Sequence, residues 1–152
     1  MNLNDKDWQI LGEAPVATFA LLGEADGKIS DKELEAFVQE WIPRIQKIRF
    51  SEDPREHEVY RWILQESAER FRTREFDLDR CRRILKRTGA LIHEKLEVAE
   101  AESIRQALLT LAKEVAESSA GFLGLGDQVS ATERAAFSEI KRLLRPPGSS
   151  EV

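Results

Sequence analysis

The chain contains a single cysteine, few glycines and prolines, and no long apolar run. Cys81 is alone among 152 residues, so no disulfide can form within the chain. The apolar runs are far shorter than the roughly 20 residues that cross a bilayer, and no charged leader precedes an apolar run as in a secretory signal. These absences predict a cytoplasmic protein that does not insert into membranes.

Strand patterns are also missing, because no segment alternates apolar and polar residues over a strand's length. Apolar residues instead recur with the 3.6-residue period of an α-helix. The predicted helices begin near Pro15, Ser30, Pro54, Asp77, Glu100 and Ser130, and Pro43 is expected to kink or break the second of them. We therefore predict an all-α, compact single-domain bundle of six to seven helices over residues 1–145, with a flexible tail at 146–152.

Charge is distributed unevenly, although the net charge is -5. Residues 1–43 carry nine acidic and three basic side chains, residues 44–95 carry ten and fourteen, and residues 96–152 carry nine and six. The middle of the chain is therefore basic between acidic flanks. Because duplex affinity depends on basic groups that neutralise phosphates, an acidic chain is a poor candidate for nucleic-acid binding.

The most basic stretch lies on the fourth predicted helix, which Asp77 is expected to cap. Arg80, Arg83 and Arg87 lie opposite the apolar stripe of this helix. Such a face is either simply solvated or a docking surface for an acidic partner. We favour an acidic protein over RNA, because no aromatic residues interleave with the arginines to stack on bases.

The acidic segment EADGKISDKE, which ends at Glu33, resembles half of a calcium-binding loop. When its glycine is set at the sixth position of an EF-hand loop, Asp26 falls at position 5, Glu24 at position 3 and Glu33 at position 12. Leu22 then occupies position 1, where an oxygen ligand is required. Only the second half of the pattern is present, which argues against a high-affinity calcium loop.

The same residues also form a helix start. Ser30 and Glu33 have the spacing of a capping box, and Asp31 suits the positive end of the helix dipole. Two interpretations stay open: a turn with a capped helix, or a turn that in addition binds a divalent cation such as calcium weakly. The candidate metal ligands are Glu24, Asp26, Asp31 and Glu33.

A weak internal repeat relates this segment to a later one, since ISDKELEAF at 29–37 matches VSATERAAF at 129–137. The segment VATFALLGEADGKISDKELEAF resembles the first motif of the tellurite-resistance TerB-like family. The segment LAKEVAESSAGFLGLGDQVSATERAAFSEIKRLL resembles the C-terminal partner motif of that family. Together the two motifs cover about 55 of 152 residues.

The resemblance implies an all-α domain with approximate internal two-fold symmetry, a role in resistance to tellurite and other stresses, and an acidic surface that binds divalent metal. Asp26 and Glu33 match the acidic residues of the first motif, and Glu133 matches that of the second. The second motif reads Gly126-Asp127 where the first has Asp-Gly. Two equivalent metal sites are therefore not expected.

No catalytic group can be assembled from the sequence. His57 and His93 lack the spacing of metal ligands, and Cys81 lies on an apolar stripe as a small buried residue would. We predict no enzyme and no other cofactor. Two functions remain: a TerB-like stress-response module with a weak divalent-metal site, or a metal-independent domain that binds other proteins through the acidic turn and the basic fourth helix.

Overall fold

The structure is a computed structural model that describes residues 3–23, 31–48, 52–73, 77–122 and 131–145, with the backbone alone at 33, 115–122 and 131–133. The helices are α1 Asp5–Gly23, α2 Asp31–Ala36, α3 Ile42–Gln46, α4 Pro54–Arg72, α5 Leu78–Lys95, α6 Val98–Phe122 and α7 Ala131–Leu143. A π-helical turn, Phe37–Trp41, joins α2 to α3, so these ranges hold six helical segments and no strand. The predicted all-α bundle of six to seven helices is confirmed. Among the described helices, none combines the length and apolar character that a membrane span requires.

Helix α1 begins at Asp5, so the prediction that it starts near Pro15 was wrong. Asn4 and Asp7 cap it reciprocally, because the backbone N–H of each donates to the other's side-chain oxygen at 2.9 Å. Pro15 lies inside the helix, where a missing N–H and a ring clash cost about 3 kcal/mol. The burial of every residue from Leu11 to Leu22 offsets that loss.

Helix α1 is the central element, and it packs against α4, α5, α6 and α7. Gly12 allows close approach to α4, since a Cβ at this position would lie 2.7 Å from Ile63 Cβ. Gly89 does the same for α5 and α7, since a Cβ there would lie 2.8 Å from the Leu143 carbonyl oxygen. Both glycines therefore bring neighbouring helices close together.

The expected interruption at Pro43 takes the form of the π-helical turn before it. The Ile42 amide donates to the Phe37 carbonyl, five residues back. Proline has no amide hydrogen and its ring crowds the carbonyl four residues earlier, and a wider turn accommodates both effects. The helix continues past Pro43 instead of breaking. Phe37 is fully buried and stacks on Phe19 of α1, with ring centroids 3.9 Å apart.

Helices α4 and α5 begin where the sequence predicts. Pro54 is the first residue of α4, and the Asp53 side chain accepts a hydrogen bond from the Arg55 amide at 2.9 Å. The Asp77 side chain caps α5 by accepting from the Asp79 amide, also at 2.9 Å. These caps satisfy amides that the helix itself leaves unpaired.

The apolar stripes predict most of the core, with two errors. Ile48 and Val59 belong to the apolar stripes of the second and third predicted helices, which predicts that they face inward, but both are exposed. Trp62 is 64% exposed on the outer face of α4. The two copies of the internal repeat each contain the start of a helix, and the two starts, Asp31 and Ala131, are at equivalent positions. The predicted tail at 146–152 lies outside the described residues.

Candidate functional site

Helices α1 and α5 run in opposite directions and leave a groove between them. Near one end, Lys95 Nζ lies 2.7 Å from Asp7 Oδ2, and toward the other, Arg80 Nη2 lies 3.0 Å from Glu13 Oε1. The space between the helices has a volume of about 260 Å³. Its lining, which defines the α1–α5 groove, is Lys6, Gln9, Ile10 and Glu13 from α1 and Arg80, Arg83, Ile84 and Arg87 from α5.

Helix α5 positions the three candidate partner-binding residues through its amphipathic pattern. Its apolar stripe is buried against the core, and Cys81 and Leu85 belong to it. Arg80, Arg83 and Arg87 are three and four residues apart, so they share another side of the helix. The structure brings all three into the α1–α5 groove. Their role in binding stays a prediction.

Glu13 carries the one buried charge among the described residues that line the groove, and it was not predicted from the sequence. Its side chain is 7% exposed, and Oε1 lies 3.0 Å from Nη2 of both Arg70 and Arg80. A buried carboxylate requires such partners, because its isolated burial is strongly unfavourable. These three residues, which we call the Glu13 cluster, tie together α1, α4 and α5. Glu13 is conspicuous in the sequence as a lone acidic residue in an apolar stretch, but its partners are 57 and 67 residues away.

Three cations of the groove form no ion pair with any carboxylate in the described part of the chain. They are Lys6, Arg83 and Arg87, and all three are exposed. They contribute three positive charges, and the charges of Arg80 and Glu13, which also line the groove, cancel each other. The residues that line the groove therefore carry three net positive charges on a chain whose net charge is -5.

Asp7 lies near the groove and forms an ion pair with Lys95. Burial opposes its ionisation, but hydrogen bonds from Lys95 and the Asn4 amide, with the charges of Lys95 and Arg87, hold the pKa of Asp7 below its usual value. Asp7 is therefore a carboxylate at neutral pH. It neutralises Lys95 and leaves Arg87 without a partner at ion-pair distance among the described residues.

Other arginines of the basic middle of the chain, residues 44–95, have structural roles. Arg82 Nε lies 3.1 Å from Glu139 Oε1, which joins α5 to α7, and this hydrogen bond raises the pKa of Arg82. Arg72 lies 3.5 Å from Glu35, which joins α4 to α2. Arg74 lies outside the described residues. Some arginines of this part of the chain therefore join one helix to another, and others line the α1–α5 groove.

A smaller cavity of about 50 Å³ lies between α1, α4 and α5 and shares Glu13, Arg80 and Ile84 with the groove. Ser67 Oγ and Cys81 line it, and Ser67 Oγ is buried without a hydrogen-bond partner in the described structure. Burial raises the pKa of the Cys81 thiol to about 11. Cys81 is therefore protonated at neutral pH, and a thiol in that state is a poor nucleophile.

The candidate metal ligands of the acidic segment are only partly described. Glu24 and Asp26 lie outside the described residues. Asp31 is exposed at the start of α2, and Glu33 lies in the same helix with its side chain undescribed. Within the described ranges, no three side chains of the metal-ligating types come together as a potential ion site. The metal site stays a prediction from sequence.

Comparison with known proteins gives no family assignment. The chain matches no protein-family model, no curated protein and no solved structure. The resemblance to the TerB-like family therefore rests on the two sequence motifs alone, and the function that it implies is a proposal.

Proposed function

We propose that this chain is a non-enzymatic helical interaction domain that docks an acidic protein partner in the α1–α5 groove. The observation that carries the proposal is the presence of Lys6, Arg83 and Arg87 on one groove, with no carboxylate of the described residues at ion-pair distance from them. Concentrated charge of one sign attracts a partner of the opposite sign and speeds its association. A cytoplasmic location is part of the proposal and is consistent with a lone, buried cysteine.

A protein partner suits the groove better than a nucleic acid. The floor of the groove holds two aliphatic side chains, Ile10 and Ile84, and none of the described residues that line it is aromatic. Proteins that bind single strands stack bases on aromatic rings, and duplex binders spread basic groups along the phosphate backbone. A compact basic groove with an aliphatic floor fits carboxylates that flank an apolar side chain.

Charge reversal in the groove tests the proposal. Arg83→Glu with Arg87→Glu should weaken binding of fluorescein-labelled poly-L-glutamate by about 1–2 kcal/mol, or roughly 5–30-fold at low salt. The matched control is Lys86→Glu with Arg134→Glu, which changes the net charge equally at two exposed positions outside the groove. Fluorescence anisotropy measures both.

The two variants separate a local site from a general charge effect. The proposal predicts a large loss for the groove variant, a small loss for the control, and wild-type binding that weakens steeply with added salt. Equal losses in the two variants would show that net charge alone governs binding, and the groove would then not be the docking site.

The second candidate function is the TerB-like stress-response module with a weak divalent-metal site. It is supported by the spacing of Glu24, Asp26, Asp31 and Glu33 and by the two sequence motifs. Amide-resolved NMR of chelator-stripped protein titrated with calcium, then manganese and zinc, tests it. Saturable changes centred on residues 24–33 and lost in Asp26→Asn are expected. Diffuse changes that persist in Asp26→Asn would rule the site out.

A further inference from the structure

The walls of the α1–α5 groove restrict how a partner can bind. Both walls are α-helices, whose interior backbone N–H and C=O groups are paired within each helix. A partner therefore cannot add to this surface as a β-strand, because that mode needs free backbone groups along an edge. Recognition must use side chains, and the helix-in-groove mode does so.

The size of the groove also limits the occupant. At about 260 Å³ it falls just below the roughly 300–1,000 Å³ of pockets that enclose small-molecule ligands. Ile10 and Ile84 are half-buried, so each keeps apolar surface in contact with water. An apolar side chain of a partner that covered this surface would remove it from water, and this burial would contribute favourably to the binding free energy.

The cations are placed around this apolar floor. Arg80 and Arg87 are seven residues apart on α5, which corresponds to about 10 Å, or two helical turns. Because α1 and α5 run in opposite directions, Lys6 lies toward the Arg87 end, and the Glu13 cluster lies toward the Arg80 end. Positive charge thus flanks the floor at both ends, at a separation that matches two turns of a helix.

We infer that the occupant of the α1–α5 groove is an acidic amphipathic helix of the partner. One aliphatic side chain of that helix packs between Ile10 and Ile84, and carboxylates one turn before and one turn after it pair with Lys6, Arg83 and Arg87. This inference rests on the proposed function and specifies the partner's chemistry. Acidic residues at i−4, i−3, i+3 and i+4 around the anchor place all the carboxylates on one face.

Synthetic peptides test the inference with the full chain. The first is an alanine-based helical peptide of about 15 residues, near the length at which isolated helices become populated, with one leucine flanked by glutamates at these four positions. The second replaces the leucine by glutamine at unchanged charge, and the third places a proline beside the leucine. Glutamine should weaken binding about 3- to 10-fold through lost apolar burial, and proline should weaken it further by disrupting the helix.

Two protein variants locate the anchor. Ile84→Ala should weaken binding of the leucine peptide about threefold and leave the glutamine peptide unchanged, because only the former packs on the floor. The control is Val98→Ala, which shortens an exposed aliphatic residue at the start of α6, outside the groove. Thermal unfolding of each variant checks that folding is retained, and the peptide substitutions test the anchor without any change to the protein.

The outcomes distinguish this inference from the proposed function. If the leucine, glutamine and proline peptides bind equally well and the Arg83→Glu, Arg87→Glu variant loses all three, the groove docks acidic chains but the helical anchor is wrong. If pyrophosphate displaces the leucine peptide at low concentration and Ile84→Ala has no effect, the groove is a small-anion site and the inference fails. If no peptide binds and charge reversal has no effect on poly-L-glutamate, both proposals fail.

Discussion

Replacing Glu13 by glutamine should destabilise the fold and strengthen binding of acidic ligands at the same time. In the native state one buried carboxylate oxygen is shared by two guanidinium groups at 3.0 Å each. Glutamine keeps the size of the side chain and a carbonyl oxygen that can still accept a hydrogen bond, but it removes the negative charge, so Arg70 and Arg80 lose their ion-pair partner. Both effects of the substitution follow from this one change.

The size of the destabilisation depends on how well the two arginines can be hydrated afterwards. Breaking a fully buried ion pair costs about 3–5 kcal/mol, but the side chains of Arg70 and Arg80 are 43% and 53% exposed. Water can therefore replace part of the lost interaction. We expect Glu13→Gln to lower the free energy of unfolding by about 1–2 kcal/mol, which lowers Tm by roughly 2–8 °C for a chain of this length.

The assay combines thermal unfolding with anisotropy titration of the acidic leucine peptide. Glu13→Gln adds one net positive charge to the groove and weakens the contact that holds Arg80, so affinity should rise about two- to fivefold at low salt. Glu139→Gln is the control, because Glu139 also lies between two arginines, Arg82 and Arg142, but outside the groove. It should lower Tm without a gain in affinity. Unchanged stability together with unchanged or weaker binding in Glu13→Gln would refute the assigned role of the Glu13 cluster.

Three further predictions concern the packing around α1. Asp7→Asn should reduce the loss of folding stability at acid pH. The pKa of Asp7 is lowered in the native state, so the ionised side chain stabilises the fold above the unfolded-state pKa of about 3.9, and this stabilisation is lost as pH falls through the native pKa. Urea titrations at several pH values measure this, and an unchanged dependence of stability on acid pH would contradict it. Gly12→Ala should lower the stability by about 1–3 kcal/mol despite alanine's better helix propensity, because the new Cβ would meet Ile63; a Tm equal to or above wild type would show that α1 and α4 separate easily. Cys81 should react slowly with a thiol reagent at pH 8 and rapidly in denaturant, since burial raises its pKa to about 11; fast reaction of the native protein would show that the thiol is accessible.

The helix starts that sequence reasoning predicted correctly are those with local causes. Asp53 with Pro54, and Asp77, act within one turn of the helices they begin, so their effect can be predicted without knowing the fold. The Asn4–Asp7 cap of α1 is local too, but Pro15 pointed to a later start, because a mid-helix proline is tolerated only when tertiary burial offsets its cost. That burial depends on α4, α5, α6 and α7 surrounding α1, which no local pattern encodes.

The candidate site was predictable to a similar, partial extent. Helical spacing alone places Arg80, Arg83 and Arg87 on one side of α5, and the structure agrees. The opposite wall could not be predicted, because the approach of α1 to α5 is a tertiary contact between distant segments. Ile48 and Val59 were placed in the core for a related reason: each is at the margin of an apolar stripe, where burial depends on which neighbour packs alongside.

The basic residues of α5 fall into two groups that differ in what they do for stability. Arg82 joins α7 and Arg80 joins the Glu13 cluster, so each contributes to helix packing. Arg83 and Arg87 form no such contact in the described structure, and like charges four residues apart on a helix destabilise it by a few tenths of a kcal/mol. Selection for stability alone would not favour this pair beside an apolar floor. Arg87 has a favourable electrostatic interaction with Asp7, but no carboxylate of the described residues lies at ion-pair distance from either arginine. Because sequences tend to depart from local stability rules at functional sites, this like-charge pair supports the proposal that the groove binds an acidic partner.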